Sequence, residues 1–135
     1  MTLNLKTGFG AVGDDSTNDT AAVQAAFTAA ITTGEALYVP PGRYRCHSQI
    51  KEVIGSSVLA VTVFGDGPQS SFRFTGGGGM RIECPNIFRS VNLKDFELAT
   101  LISGGPSAAL TVTCPGYSNT GKGTPANVIS NVHIR

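Results

Sequence analysis

Residues 9–26 read FGAVGDDSTNDTAAVQAA, which combines a glycine-rich turn, a polar loop and the start of a helical pattern. From Val23 onward apolar residues recur at i, i+3, i+4, i+7 and i+8, so the pattern predicts an amphipathic helix over residues 19–33. Asn18 or Asp19 can cap its first amides, and Gly34 can adopt the left-handed conformation that ends a helix. The predicted apolar stripe consists of Val23, Ala26, Phe27, Ala30 and Ile31.

After Gly34 the apolar period changes from helical to alternating, which predicts short strands separated by turns rich in glycine and proline. A sandwich, a barrel or a solenoid could each produce one helix followed by eight strands. The predicted strands cover residues 37–39, 44–46, 58–64, 72–74, 80–84, 91–98, 108–114 and 128–134.

An internal repeat favours the solenoid. Residues 81–85 align with residues 111–115 at an offset of 30, and residues 93–98 align with residues 129–134 at an offset of 36. The apolar residues of 93–98 break strict alternation, which predicts two short strands that meet at a Lys-Asp corner. Units of this kind stack as coils of a parallel β-solenoid, in which each coil buries its inward side chains against the next.

Residues 9–26 closely resemble the opening of the pectate-lyase-like, glycoside-hydrolase-28-related right-handed β-helix family. In that family the opening reads roughly FGAxGDGxTDDTxAIQxA. Residues 37–44 (LYVPPGRY) and 63–67 (VFGDG) resemble two later motifs of that family, so the resemblance covers residues 6–67, about half of the chain. Asp15 and Asn18 depart from the pattern but exchange one polar turn residue for another. The resemblance implies an all-β fold, a right-handed single-stranded parallel β-helix with an N-terminal capping α-helix.

We therefore expect residues 1–36 to form an N-terminal loop and capping helix, and residues 37–135 to form about three coils of the solenoid. The helix would cover an apolar cross-section and strand edges that otherwise invite aggregation. Because a solenoid needs a cap at both ends, we expect either that the chain is a fragment of a longer solenoid or that another chain covers its end. The predicted capping residues are Asp19, Val23, Phe27 and Ile31.

The composition excludes several classes of ligand. Charged residues make up 14% and the net charge is +1, without a run of Lys or Arg, so we expect neither nucleic acid nor a membrane as a partner. Residues 8–13 match GxGxxG, but the helix begins too late for a dinucleotide site. An EF-hand calcium loop that begins at Asp14 or Asp15 would lack its required Gly and Glu. His47 and His133 have no Cys, Asp or second His at metal-ligand spacing. We therefore expect no metal and no cofactor.

The three cysteines are odd in number and lack CxxC spacing, which argues against a disulfide framework and a zinc site. The first residues carry no apolar stretch behind a basic segment, so we expect no secretory signal in this chain. We predict reduced thiols, with Cys84 and Cys114 stacked in equivalent positions on adjacent coils and Cys46 apart from both.

Acids on the predicted strands are the candidates for catalysis, because cleavage of a glycosidic bond needs two carboxylates ~5–9.5 Å apart and stacked strands lie ~4.8 Å apart. The alternative for each of these acids is an outward side chain that forms an ordinary salt bridge on the wall of the solenoid. The candidate acids are Glu83, Asp95 and Glu97. The candidates for gripping and stacking on an acidic sugar are Arg43, Tyr44, Arg45 and Arg81.

Two functional classes stay open. The resemblance implies a polysaccharide-active protein, a lyase or hydrolase of phage tailspike type, in which this segment serves mainly as cap and scaffold. The alternative is a non-catalytic structural or glycan-recognition solenoid of a tail fibre or virion. The expected partner is a polysaccharide, and a tailspike would add a homotrimeric assembly and a virion or extracellular location. Since no carboxylate cluster is evident, we expect this chain alone to cleave no polysaccharide.

Overall fold

The computed structural model describes residues 2–53, 60–76, 79–83, 90–101, 109–113 and 128–135. Short strands dominate this part of the chain, and none of its helices is long and apolar enough to cross a bilayer. In chain order the elements are β1 (Leu3–Asn4), α1 (Leu5–Phe9), β2 (Asp14–Asn18), α2 (Thr20–Thr33), β3 (Leu37–Val39), β4 (Gly42–Cys46), β5 (Ile50–Val53), β6 (Ala60–Gly65), β7 (Ser70–Phe74), β8 (Met80–Glu83), β9 (Ser90–Thr100), β10 (Leu110–Thr113) and β11 (Val128–Ile134).

The strands stack into three faces, and every strand pair within the described ranges is parallel. The first face contains β1, β3, β6 and the first half of β9. The second face contains β2, β4, β7 and the second half of β9, and β11 pairs with β9 along both halves. The third face contains β5, β8 and β10. Parallel neighbours that return to the same face once per coil confirm the predicted parallel β-helix.

The strand register confirms both parts of the internal repeat. Thr111 pairs with Arg81, and Ile129 pairs with Leu93, which reproduces the offsets of 30 and 36 residues. The predicted corner lies at Asp95, where φ is 61° and β9 passes from the first face to the second. Asn131 stacks on this corner with φ 54°, and its Nδ2 donates a hydrogen bond to Asp95 Oδ1 at 2.9 Å. Asp and Asn tolerate this left-handed conformation better than other side chains.

The interior of the solenoid is filled by inward side chains from all three faces, and aromatic rings dominate the second. Phe72 lies at the centre of this group, with its ring centroid 5.8 Å from that of Tyr44 and 5.7 Å from that of Phe96. All three residues are fully buried. Ring pairs at these separations add about 0.5–1.5 kcal/mol each to the effect of burial alone.

Helix α2 covers the apolar cross-section of the first coil, as predicted. Val23, Ala26, Phe27 and Ala30 are fully buried, and Ile31 packs partly buried against the same core. The Phe27 ring meets Phe72 edge to face, with centroids 5.9 Å apart. Burial of a side chain of this size contributes about 1.5–3 kcal/mol, so Phe27 is a main anchor of the cap.

Three different devices cover the strand edges of the first coil. On the first face β1 pairs with β3, and on the second face β2 pairs with β4. On the third face a helix side chain replaces a strand: Gln24 Nε2 donates to the carbonyl of Lys51, and the amide of Lys51 donates to Gln24 Oε1. The Glu52 carboxylate also accepts hydrogen bonds from the side chains of Gln24 and Thr28. The edges are thus protected against pairing with another chain.

Of the two predicted side-chain caps of α2, Asn18 is confirmed, since its Oδ1 accepts from the Thr20 amide at 3.1 Å, and Asp19 is wrong. Asp19 is the first residue before α2, but its carboxylate makes no hydrogen bond to the helix amides. Instead, Oδ1 accepts from the amide of Val12 and Oδ2 from the amide of Gly13, both at 2.9 Å. The buried carboxylate therefore fixes the loop before β2, because two amides at that turn have no strand partner.

Gly13 shows why this loop needs glycine. Its φ is 71°, and a Cβ atom there would lie 2.9 Å from Cε1 of the buried Tyr44 ring. Its carbonyl accepts from the amide of Arg43 at 3.0 Å. The sequence periodicity predicts no strand before Leu37, yet this close approach brings β2 alongside β4.

The thiol prediction is tested only at Cys46, which is free and buried on β4. Burial raises the pKa of the Cys46 thiol to about 12, with a smaller contribution from the charge of Asp19. Cys84 and Cys114 lie outside the described residues, so their stacking stays a prediction.

The capping role of α2 predicts that Phe27→Asp destabilises the whole domain, because an unpaired carboxylate would be buried against Phe72. We expect aggregation or loss of the cooperative thermal transition, measured by circular dichroism and light scattering. The matched control is Ala25→Asp, which adds the same carboxylate at an exposed position of the same helix. A Phe27→Asp variant that melts like Ala25→Asp would contradict the capping role.

Candidate functional site

A concave surface lies on the outer side of the second face, where β2, β4, β7 and β9 run side by side. It is a groove of about 550 Å³. Side chains reach it from successive coils because outward positions pair across the strands: Arg43 with Ser71, Ser71 with Glu97, and Arg45 with Arg73. The residues that line it include Asp15, Gly42, Arg43, Gln69, Arg73 and Glu97.

Asp15 is the electrostatic centre of the groove, since three guanidinium groups surround its carboxylate. Arg45 Nε donates to Oδ1 at 3.1 Å, while Arg73 Nη1 lies 3.6 Å and Arg43 Nη1 3.9 Å from Oδ2. Three positive charges against one negative charge leave a local excess of two. Asp15 itself has φ 62°, an uncommon conformation for a residue with a Cβ atom. The backbone strain therefore coincides with the charged cluster.

Asp14, which also lines the groove, has its carboxylate occupied by its own loop. Oδ1 accepts from the amides of Ser16 and Thr17, and Oδ2 accepts from the Thr17 hydroxyl. These hydrogen bonds, led by the one from the Thr17 amide, lower the pKa of the Asp14 carboxyl. Asp14 thus stabilises the turn that carries Asp15 rather than supplying an acid for chemistry.

Glu97 is the predicted catalytic candidate that the structure places in the groove. Its carboxylate is buried, with Oε1 accepting from the Ser71 hydroxyl at 2.8 Å and Oε2 lying 3.2 Å from Arg135 Nη1. Both oxygens therefore have partners from neighbouring coils.

The three candidate acids do not share one groove. Glu83 lies on β8 of the third face, where its Oε1 is 2.8 Å from Arg81 Nε and 3.9 Å from Lys51 Nζ. The hydrogen bond from Arg81 lowers the pKa of the Glu83 carboxyl, which is unsuitable for a proton donor at neutral pH. Asp95 lies at the corner, bonded to Asn131. Of the three candidate acids only Glu97 lines the groove, in line with the expectation that they form no carboxylate cluster.

The candidates for sugar binding also divide. Arg43 and Arg45 both lie beside Asp15. Tyr44 was a candidate for contact with a sugar, and its burial excludes that role. Its ring is fully buried and its hydroxyl donates to the carbonyl of Pro40 at 2.7 Å, because Tyr44 alternates with the outward arginines. Arg81 lies on the third face and is engaged with Glu83.

Sequence reasoning missed Arg73 and the pairing role of Asp15. A signal for Arg73 was present, because Phe72-Arg73-Phe74 repeats the pattern of Tyr44-Arg45-Cys46, an arginine between two inward residues. No pattern in the sequence indicates that Asp15 reaches across β4 to Arg73. That contact depends on the irregular register of β2, which shifts between Asp14 and Asn18.

The arrangement suits recognition of an anionic or polar ligand rather than metal-assisted chemistry. Guanidinium groups bind carboxylate and other oxyanions through paired N–H donors, and Ser71 and Gln69 add neutral polar groups beside them. Among the described residues there is no cluster of three or more His, Cys, Asp or Glu side chains that could hold a metal ion.

Comparisons with known proteins agree with this architecture. Residues 3–81 match the family model described as rhamnogalacturonase A/epimerase, pectate lyase-like. Among solved structures, the chain is similar to one titled "Crystal structure of Agl-KA catalytic domain", with a TM-score of 0.50 and 20% sequence identity over 82% of this chain and 27% of that chain. The chain therefore spans about a quarter of that protein's length, and the likeness concerns the fold. A comparison with curated protein sequences returned no match.

The ion pairs of Glu83 predict a pH-dependent contribution to stability. Since its folded pKa is lowered from the ordinary 4.5, the charged carboxylate stabilises the fold above that pH, and the stabilisation is lost as the pH falls through the folded value. We expect Glu83→Gln to melt slightly below the parent at pH 7 and together with it at strongly acidic pH. Equal melting temperatures at pH 7, or a difference that grows on acidification, would contradict the assignment.

Proposed function

Because the chain belongs to the pectate-lyase-like rhamnogalacturonase A/epimerase family, we propose that it is part of a polysaccharide-active β-helix protein and that the groove on the second face binds the glycan. The observation that carries this proposal is the groove itself. Outward side chains of β2, β4, β7 and β9 line it in succession, so it runs across stacked coils.

The geometry of the groove matches a linear polymer. Adjacent parallel strands lie ~4.8 Å apart, so a chain that crosses them meets a new set of side chains at each coil. Arg43 and Arg135 line the groove and are 62% and 65% exposed, while Ser71 and Glu97, at paired positions between them, are buried and hydrogen-bonded to each other. Exposed guanidinium groups on different coils can contact successive sugars, which suits a polysaccharide better than a single small molecule.

We assign binding rather than bond cleavage to the described part of the groove. Hydrolysis of a glycosidic bond needs a proton donor and a second carboxylate in one cleft. Here Asp14 is held by its own turn, Asp15 by three arginines, and Glu97 by Ser71 and Arg135. The proposed role of this segment is therefore to cap the solenoid through α2 and to provide the first binding positions for the glycan.

A finer version of the proposal is a tailspike-type protein with a homotrimeric assembly and a virion or extracellular location. Its support is the motif of residues 9–26, because the resemblance includes phage tailspikes among the proteins that open with it. Light scattering coupled to size-exclusion chromatography is expected to give the mass of a trimer. A monomer across the accessible concentration range would remove this version and leave the glycan proposal in place.

Affinity electrophoresis of the purified chain tests glycan binding directly. Gels that contain pectic, capsular or O-antigen polysaccharides should retard the protein with at least one polymer. Reducing-end assays and the absorbance of unsaturated products, run on the same polymers, should detect no cleavage by this chain alone.

Arg43→Ala is the variant that links retardation to the groove. Arg43 is 62% exposed and 3.9 Å from Asp15, so its removal should weaken binding several-fold with little effect on stability. Lys51→Ala is the matched control, because Lys51 is 52% exposed and 3.9 Å from Glu83 on the third face. Equal retardation of both variants would move the glycan away from the groove, and no retardation of the parent by any polymer would refute the proposal.

A further inference from the structure

Arg73 is the least satisfied cation of the groove. Its side chain is only 15% exposed, and its Nε atom is buried without a hydrogen-bond partner. The nearest carboxylate oxygen, Oδ2 of Asp15, lies 3.6 Å from Nη1, which is an ion pair without a short hydrogen bond. Burial of a charged group costs free energy unless its donors are filled, so this guanidinium favours a further acceptor.

Asp15 is a weakly matched counter-ion for the cluster. Its shortest contact is with Arg45, while Arg43 and Arg73 share its second oxygen at longer distances. It also adopts a positive φ of 62°, a conformation that Asp and Asn tolerate better than other side chains. One carboxylate thus holds three guanidinium groups, only one of them through a hydrogen bond.

We infer that Arg43, Arg45 and Arg73 form an oxyanion site whose resident counter-ion is Asp15, and that a carboxylate or sulfate group of a ligand exchanges with Asp15 at Arg73. The source of the ligand rests on the function proposed above, namely an acidic residue of the bound glycan. No bond is made or broken in this exchange. The incoming oxyanion fills donors of Arg73, and the Asp15 side chain stays hydrogen-bonded to Arg45.

Charge and position both favour the exchange. The groove lining together with Arg45 carries four arginines against the carboxylates of Asp14, Asp15 and Glu97, so one positive charge remains in excess while Asp15 is in place. The segment that carries Asp15 is anchored on both sides, by the Asp14 turn and by the strand contact of Asn18 with Arg45. A side-chain rotation of Asp15 can therefore open the site without unfolding β2.

The inference makes opposite predictions for two substitutions. Arg73→Gln removes the primary donor and should weaken binding of polygalacturonate about tenfold or more, as expected for a charge-assisted hydrogen bond. Asp15→Asn removes the competing charge and should strengthen binding about threefold to tenfold, since Asn tolerates a positive φ. A purely structural ion pair would predict weaker binding, or none, for both variants.

The experiment is isothermal titration calorimetry with polygalacturonate and with the same polymer after reduction of its carboxylates to alcohols. Arg81→Gln, on the third face, is the control and should bind like the parent. Arg73→Lys keeps the charge without the planar donor pair and should lose affinity several-fold, which preserves the test if Arg73→Gln does not fold. Thermal melts of each variant report folding.

A second arm separates a glycan carboxylate from a free oxyanion. Sodium sulfate, compared with sodium chloride at equal ionic strength, stabilises any folded protein to some extent, and site binding adds to this effect. The rise in melting temperature should therefore be larger for the parent and for Arg81→Gln than for Arg73→Gln. If neither polymer binds and sulfate still acts through Arg73, the proposed function fails and the oxyanion site stands.

Three results would overturn different parts of the proposal. Equal affinity for the native and reduced polymers, with no change in Arg73→Gln, would overturn the oxyanion site while glycan binding stands. Weaker binding of a folded Asp15→Asn variant would overturn the exchange with Asp15. No binding of either polymer together with no Arg73-dependent effect of sulfate would overturn both the site and the proposed function.

Discussion

The open end of the first coil is the constraint around which this protein is organised. A parallel β-helix exposes there an apolar cross-section and the unpaired backbone of three strands, both of which favour aggregation. The buried apolar stripe of α2, anchored by Phe27 on Phe72, covers the cross-section. The strand edges are covered by β1 on the first face, by β2 on the second face and by the side chain of Gln24 on the third.

The same segment also builds the groove, which couples capping to recognition. The Asp19 carboxylate holds the amides of Val12 and Gly13, and Gly13 then accepts from Arg43 at the start of β4. β2 follows directly, so its position on the second face is set by the cap. Asp15 extends from β2 into the arginines of β4 and β7. Hence the loop that closes the solenoid also supplies the acidic centre of the candidate site.

Local patterns in the sequence were sufficient to predict the helix α2, eight of the nine strands that follow it, the corner at Asp95 and the offsets of 30 and 36 residues, because each depends on periodicity or turn chemistry. They also singled out Arg43 and Arg45, which the structure places beside Asp15. They failed at Tyr44, because its ring is buried, and at Asp19, because its carboxylate accepts hydrogen bonds from two loop amides instead of the helix amides. The strand β5 was missed because Glu52 stands at an inward position opposite Ile82, satisfied by Gln24 and Thr28 of α2. Such partners are distant in sequence, so no local pattern encodes them.

Arginines on successive coils, rather than a pair of catalytic acids, distinguish the described part of this groove. The most direct test of that account is a crystal structure of the protein with an oligogalacturonate bound. The account predicts the oligosaccharide across β4 and β7 on the second face, with one carboxylate in hydrogen-bond contact with Arg73 and the Asp15 side chain turned towards Arg45. An oligosaccharide on the first or third face, or one on the second face whose carboxylates avoid Arg73 while Asp15 keeps its contacts, would contradict it.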